Sequence, residues 1–286
     1  MPKPPSKLVI GVWQGPCDDA HPDANFAAAA DVIQRASSAG CAFVCLPETF
    51  LTGYGSRRIV EGNAITLRDP RLLDLARRAA DRRVVALLGL AERRGRRILN
   101  SQAILDGGKV AGVYCKTIPT GPEFEMGFAS DDELPVFRAR GVCFGIQICH
   151  DSSFPEIAST LSWKGAQVLF SPHYNKISRG QMDEHRLRVR CNHIGIAAHF
   201  ALVVARSNIV WQGGDGLLGY GDSAIFSPLG TPLAEAGLFT ETLAVADVAP
   251  YLKPCQWRRR EELRPALIHA WHRAALRALK KSPKRP

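Results

Sequence analysis

The feature that most constrains this chain is an alternation. Short apolar runs recur along it, separated by longer stretches with helical periodicity. Residues 7–13, 41–46 and 84–91 read as buried strands. Between them, residues 21–38 read as a helix with Asp23 near its start and Gly40 placed to end it. Residues 68–82 read as a second helix, with Leu72, Leu75, Ala76 and Ala79 on one face and arginines on the other. Strands at 98–105 and 110–115 flank Asp106-Gly107-Gly108-Lys109, a hairpin signal. The alternation resumes with a strand at 142–148, a helix at 154–164, a strand at 166–170 and a helix at 180–198. Strands at 202–206, 223–227, 232–236 and 243–248 complete the set. The pattern predicts an α/β layered domain.

The 286 residues contain no Pro/Ser-rich linker and no internal repeat. The reading is one domain to about residue 250, followed by an arm over 251–286. That arm holds eleven Lys/Arg against two Glu, while the other 250 residues hold 26 basic and 25 acidic groups. The net charge of +10 is therefore a property of the arm. It lacks the groove-reading or aromatic elements of a nucleic-acid module, so no nucleic-acid partner is expected. Within it, residues 261–281 space Leu263, Leu267, Trp271 and Leu276 as an amphipathic helix does. An arm of this kind is expected to pack on a second copy.

No apolar run reaches the ~18–20 residues of a membrane helix, and no secretory signal is read at the N-terminus. The eight cysteines form no C-x-x-C pair, which argues against a disulfide framework and a zinc ribbon. A reducing cytoplasm is the expected compartment.

Several motifs carry no chemistry. Gly214-Asp215-Gly216-Leu217-Leu218-Gly219 fits G-x-G-x-x-G, but strand-like sequence follows where a dinucleotide site needs a helix. No G-x-S-x-G elbow is present. His269 and His272 lack a third ligand nearby, so no metal is expected.

What remains are three polar groups at strand ends. Cys149 closes the apolar run 142–148, and a helix begins near Pro155. A strand-to-helix turn can expose a nucleophile and turn backbone N–H groups toward a developing oxyanion. Glu48 follows the strand 41–46, and Lys116 follows the strand 110–115. Singly, the cysteine reads as a small buried hydrophobe and each charge as a solvated strand terminus. Together they place a nucleophile, an acid–base group and a cation at strand C-termini, where open α/β folds build their sites.

The segments LPETFLTGY (46–54), YCKTIPTGPE (114–123) and GIQICHDSSFPE (145–156) resemble the signature blocks of the nitrilase, or carbon–nitrogen hydrolase, superfamily. GAQVLFSPHYN (165–175) and GYGDSAIFSPLGTPLAEAG (219–237) agree in order. The resemblance implies a four-layered α-β-β-α sandwich that pairs across its helices into an α-β-β-α-α-β-β-α homodimer or a higher oligomer. It implies Glu48 as general base, Lys116 as oxyanion-stabilising lysine and Cys149 as nucleophile, with no cofactor. A second glutamate follows the lysine in this family; Glu123 is the choice and Glu125 the alternative. Tyr54, Glu125, His150, His173, Tyr174 and Asn175 are the expected substrate contacts. The expected substrate is a small amide, ureido compound or nitrile, with water as co-substrate.

Some positions depart from the family pattern. Nitrilases carry Cys-Trp-Glu at the nucleophile, whereas Cys149-His150-Asp151 stands closer to the amidase and carbamoylase branches. Amide or carbamoyl substrates are therefore expected over nitriles. Ser153 stands where many amidase-branch members place a carboxylate-binding arginine. Phe128-Ala129-Ser130-Asp131-Asp132 replaces the family's F-x-P-G-D.

Overall fold

A computed structural model describes residues 5–213, 216–252 and 265–281. In chain order the strands are β1 (Val9–Gly15), β2 (Phe43–Cys45), β3 (Val85–Arg94), β4 (Arg97–Asp106), β5 (Lys109–Cys115), β6 (Phe128–Ala129), β7 (Phe137–Ala139) and β8 (Val142–Ile146). There follow β9 (Val168–Pro172), β10 (Ile177–Ser178), β11 (Val203–Gln212), β12 (Leu217–Tyr220), β13 (Ala224–Phe226), β14 (Pro232–Glu235) and β15 (Thr242–Asp247). The helices are α1 (Pro22–Ser38), α2 (Arg57–Asn63), α3 (Pro70–Asp81), α4 (Gly121–Glu125), α5 (Pro155–Trp163), α6 (Met182–Phe200) and α7 (Pro265–Lys281).

Two sheets form the centre. One runs β5-β4-β3-β2-β1-β15, and the other runs β7-β8-β9-β11-β13-β14. They join where Gln14 and Gly15 of β1 pair in parallel with Asn208 and Ile209 of β11. The sequence explains the layering residue by residue, because successive strand side chains face opposite ways. Phe43 and Cys45 of β2 and Val85 and Leu87 of β3 point to the partner sheet, where they meet Phe144, Ile146, Val168 and Phe170. Val44, Ala86 and Leu88 point outward, onto Val32 and Ile33 of α1 and Leu72 and Leu75 of α3. On the other sheet, Leu169, Val204 and Phe226 point outward onto Ile157 and Leu161 of α5 and Ile196 of α6. Buried on both faces, these strands read as continuous apolar runs. The result is the expected α-β-β-α order.

Some expectations are sharpened. The strand read at 202–206 continues to Gln212, because polar Ser207 and Asn208 are buried at the joint between the sheets. The strand read at 142–148 ends at Ile146. Helix α2 and strands β7 and β12 were not read from the sequence. The segment after Gly216 forms strands β12 and β13 with no helix between them, and Gly214 and Asp215 lie outside the described residues.

By contacts the chain forms two units, Met1–Lys253 and Pro254–Pro286. In the second unit α7 exposes Trp271 and Leu276. The reading of 261–281 as one helix holds from Pro265; residues 261–264 lie outside the described residues.

Candidate active site

Each of the three strand-end groups is placed by a local device. Glu48 sits in the turn after β2, where Thr49 adopts a left-handed backbone with φ 48°. Gly89 of β3 lets that turn approach. A Cβ there would lie 2.3 Å from both the Pro47 oxygen and the Thr49 nitrogen. Lys116 directly follows β5, and its N–H donates to the Asn100 carbonyl of β4 at 2.8 Å. Cys149 opens a short 3-10 turn, Cys149–Ser153, between β8 and α5. Its own φ is 48°, an uncommon conformation for a residue with a side chain and a frequent one at functional turns.

Asp151 locks this turn. Its carboxylate accepts from the Ile148 N–H at 2.9 Å, the Ile118 N–H at 2.9 Å and the Tyr114 hydroxyl at 2.7 Å. Two of these partners belong to the segment that carries Lys116. Asp151 therefore ties the cysteine's turn to the lysine's strand.

Lys116 is fully buried between two carboxylates. Its Nζ lies 2.7 Å from Glu48 Oε1, 2.9 Å from Glu123 Oε1 and 2.8 Å from Glu123 Oε2. Asn100 Nδ2 bridges the same pair, donating to Glu48 Oε1 at 2.7 Å and Glu123 Oε1 at 2.8 Å. Glu123 also closes a capping box on α4: Thr120 Oγ1 accepts from the Glu123 N–H, and Glu123 Oε2 accepts from the Thr120 N–H. The Thr-x-x-Glu spacing is the sequence signal that separates Glu123 from Glu125. Glu125 faces solvent at the end of α4, and it does not line the cavity described below.

The electrostatics follow from burial. Burial pushes Glu48 above the usual carboxylate range, against the pull of Lys116 and with the push of Glu123. Burial also acts on Glu123, but Lys116 and the Thr120 and Asn100 hydrogen bonds outweigh it and hold Glu123 low. Burial would strip the proton from Lys116, yet Glu48, Cys149 and Glu123 keep it firmly charged. Burial and the Glu48 charge hold the Cys149 thiol protonated, with Lys116 opposing. The resting arrangement is thus a neutral thiol beside an ion-paired carboxylate.

An open cavity of about 670 Å³ leads to Cys149. Tyr54, His150, His173, Tyr174 and Asn175 all line it. Tyr54 stacks on Tyr174 at 5.0 Å and on Phe128 at 6.1 Å. His150 stands edge-on to Phe154. Asn175 Nδ2 lies 3.5 Å from Cys149 Sγ. His173 is buried and packs its Nε2 3.2 Å from His193 Nε2 and from Ser171 Oγ; burial keeps it neutral. Ser153 lines the same cavity, as does an exposed arginine, Arg188 of α6. The variant loop after Phe128 pairs β6 with β4 and sets Asp131 against Arg94 at 3.2 Å.

Sequence reasoning missed Asn100, Asp19 and Arg206. Asn100 had a signal, since Asn100-Ser101-Gln102 is a polar triplet inside an apolar strand, and all three are buried. Asp19 had none. It lies in a loop and accepts from Tyr174 Oη, Lys176 Nζ and the Tyr54 N–H at the cavity wall. Among the described residues no cluster of three His, Cys, Asp or Glu side chains could hold a metal ion. No described helix is long and apolar enough to cross a membrane.

A family model described as carbon-nitrogen hydrolase matches residues 10–255. The chain belongs to the carbon-nitrogen hydrolase family. Within this family it resembles an (R)-stereoselective amidase of Pseudomonas sp, 30% identical over 67% of each chain. It also resembles the N-carbamoylputrescine amidase of Arabidopsis thaliana, 28% identical over 84% of this chain and 86% of that one. Among solved structures, a mutant amidase from Nesterenkonia sp. AN1 superposes with a TM-score of 0.73 at 24% identity, covering 94% of this chain and 98% of its own. That mutant holds the acetamide moiety of fluoroacetamide covalently at its active-site cysteine. The carbon-nitrogen hydrolase reading of the sequence, on the amidase side of the superfamily, therefore stands.

Proposed function

We propose that this carbon-nitrogen hydrolase cleaves a small linear amide or ureido compound through a thioester on Cys149. The observation that carries the reading is the buried Glu48–Lys116–Glu123 cluster beside Cys149 at the base of an open cavity. Relatives named as an amidase and as N-carbamoylputrescine amidases support amide and ureido substrates, and Cys149-His150-Asp151 in place of Cys-Trp-Glu favours these over nitriles.

The chemistry follows from the protonation states. Because the thiol rests protonated, Glu48 takes its proton as sulfur attacks the carbonyl carbon. The new oxyanion meets the Lys116 ammonium and the N–H of His150. Glu48 returns its proton to the departing nitrogen, the C–N bond breaks, and ammonia or an amine leaves. Water then attacks the thioester carbon while Glu48 takes its proton. The C–S bond breaks, the acid leaves, and Glu48 hands the proton back to sulfur. One water is consumed, and every proton passes through Glu48. Glu123 holds Lys116 in place. Tyr54, His150 and Tyr174 shape the substrate end.

A screen for ammonia release over amides, ureido compounds and nitriles tests this reading, with Cys149→Ala as the control. The expected result is turnover of amides or ureido compounds by the wild type and none by the variant, whose melting temperature is unchanged. Turnover by Cys149→Ala would overturn the mechanism, and turnover of nitriles alone would overturn the substrate class. We further propose that the arm over 251–286 contacts a second copy of the chain. Its deletion is then expected to lower the mass seen by light scattering, and an unchanged mass refutes that role.

A further inference from the structure

Arg206 of β11 is 2% exposed, and among the described residues no carboxylate pairs with it. Its N–H groups donate instead to the carbonyls of Gly221 and Asp222, to Asn175 Oδ1 at 3.1 Å and to the Tyr220 hydroxyl at 3.3 Å. A buried cation with only neutral partners favours negative charge nearby.

The contact with Asn175 has a directional consequence. A guanidinium donates and never accepts. The Asn175 amide must therefore turn its oxygen toward Arg206 and its NH₂ the other way. That NH₂ lies 3.5 Å from Cys149 Sγ. The backbone is pinned as well: the Asn175 N–H donates to Asn208 Oδ1 at 3.0 Å, and Asn208 Nδ2 donates to the Gly221 carbonyl at 2.8 Å.

We propose that Asn175 is a thiolate-binding residue and that Arg206 is the positioning residue that orients it. As Glu48 draws the proton from the thiol, the Asn175 amide donates to the emerging negative sulfur. Arg206 polarises that amide from behind. The proposal rests on Cys149 being the nucleophile.

The charged or titratable groups facing Cys149 are Glu48, Lys116, Glu123, Tyr54 and Tyr220, with His150 beside it in the chain. All are kept in the test variants; Asn175→Asp also adds a carboxylate near the sulfur, and Asn175→Ala, which adds no charge, separates the lost donor from that charge. The test is the pH dependence of iodoacetamide alkylation, read by mass spectrometry on the peptide that carries Cys149. Asn175→Asp is the decisive variant. It gives Arg206 a carboxylate, so a purely structural role is preserved, but it turns an acceptor toward sulfur. The expected result is a melting temperature at or above the wild type. The alkylation curve moves up by about one pH unit or more, which is tenfold at pH 8, and kcat falls at least in proportion. Asn175→Ala is expected to shift the same way by less. Arg206→Met is expected to shift the curve in the wild-type background and to add nothing in the Asn175→Ala background. An unmoved curve in a folded Asn175→Asp overturns the proposal. If that variant does not fold, an unmoved curve in Asn175→Ala does so. The alkylation does not depend on turnover. A proposal that fails here while Cys149→Ala is inactive leaves the nucleophile assignment standing. An active Cys149→Ala removes that assignment whatever the curve shows.

Discussion

The Tyr114 hydroxyl donates to Asp151 Oδ2 across 2.7 Å, and this bond joins the strand that delivers Lys116 to the turn that delivers Cys149. Asp151 keeps its two backbone partners when the hydroxyl is removed. Tyr114→Phe is therefore expected to cost about 1–2 kcal/mol in urea unfolding, as one buried hydrogen bond does. Asp151→Ala frees two backbone donors as well, and it is expected to cost at least twice as much. Equal losses for the two variants would show that the carboxylate is not the hub of the contact.

Lys116→Met removes the cation that sits between Glu48 and Glu123. Two buried carboxylates are left facing each other, and at pH 8 the loss is expected to be about 3–5 kcal/mol. The sign of the pH dependence follows. Without the lysine, at least one carboxyl has a folded pKa raised above its unfolded value of about 4.3. Its contribution is present below the unfolded value and lost as pH rises through the folded one. The deficit against the wild type should therefore shrink between pH 8 and pH 5 in denaturant titrations. A deficit that is constant with pH would contradict the pairing.

Gly89→Ala tests how Glu48 is positioned. The added methyl meets backbone atoms of Pro47 and Thr49, which cannot swing aside as a side chain can. A loss of about 1–3 kcal/mol or more is expected, with kcat falling further than stability. Gly62→Ala, on α2 with open space around it, serves as the control and should be neutral or slightly stabilising. A fully active, fully stable Gly89→Ala would show that the turn has room.

The buried histidines set an acid limit. Burial and the Arg206 charge push His193 down to about 3, and burial with the Arg188 charge pushes His185 down to about 4. A depressed folded value means stability that is complete above about pH 6.5 and lost as pH falls toward 3. The slope per fully buried group is about 1.4 kcal/mol per pH unit. Glu48 and Asp151, both raised by burial, act in the opposite direction. His193→Asn is expected to flatten the fall in urea midpoint between pH 7 and pH 5. An unchanged fall would assign the acid limb to other groups.

Much of this arrangement was legible in the sequence, and the legible part has a common cause. Strands buried on both faces announce themselves as apolar runs, so β2, β3, β8 and β9 were readable from Val, Leu and Phe alone. Polar residues that end such runs stand out, which is why Glu48, Lys116 and Cys149 could be singled out before their distances were known. What could not be read depends on long-range partners. Helix α2 has seven residues and little apolar periodicity; the Ser56 cap and packing of the buried Val60 account for it. Ser207 and Asn208 look like the end of a strand until the joint of the two sheets buries them. Asn175 is an expected substrate contact because His173-Tyr174-Asn175, at the end of a family-like segment, replaces a more common small apolar stretch. Its orientation depends on Arg206, 31 positions away, and nothing local signals that.

The junction of the two sheets has a kinetic meaning. Glu48 and Lys116 leave strands of one sheet, whereas Cys149 leaves a strand of the other, 33 residues after Lys116 and 101 after Glu48. Neither sheet alone holds the proposed base and the proposed nucleophile together. During refolding the reactive trio comes together only after the halves dock, because distant contacts form at the greatest cost in chain entropy. Recovered turnover is then a late marker of folding. A half-folded chain carries an ordinary protonated thiol and leaves the amides around it intact.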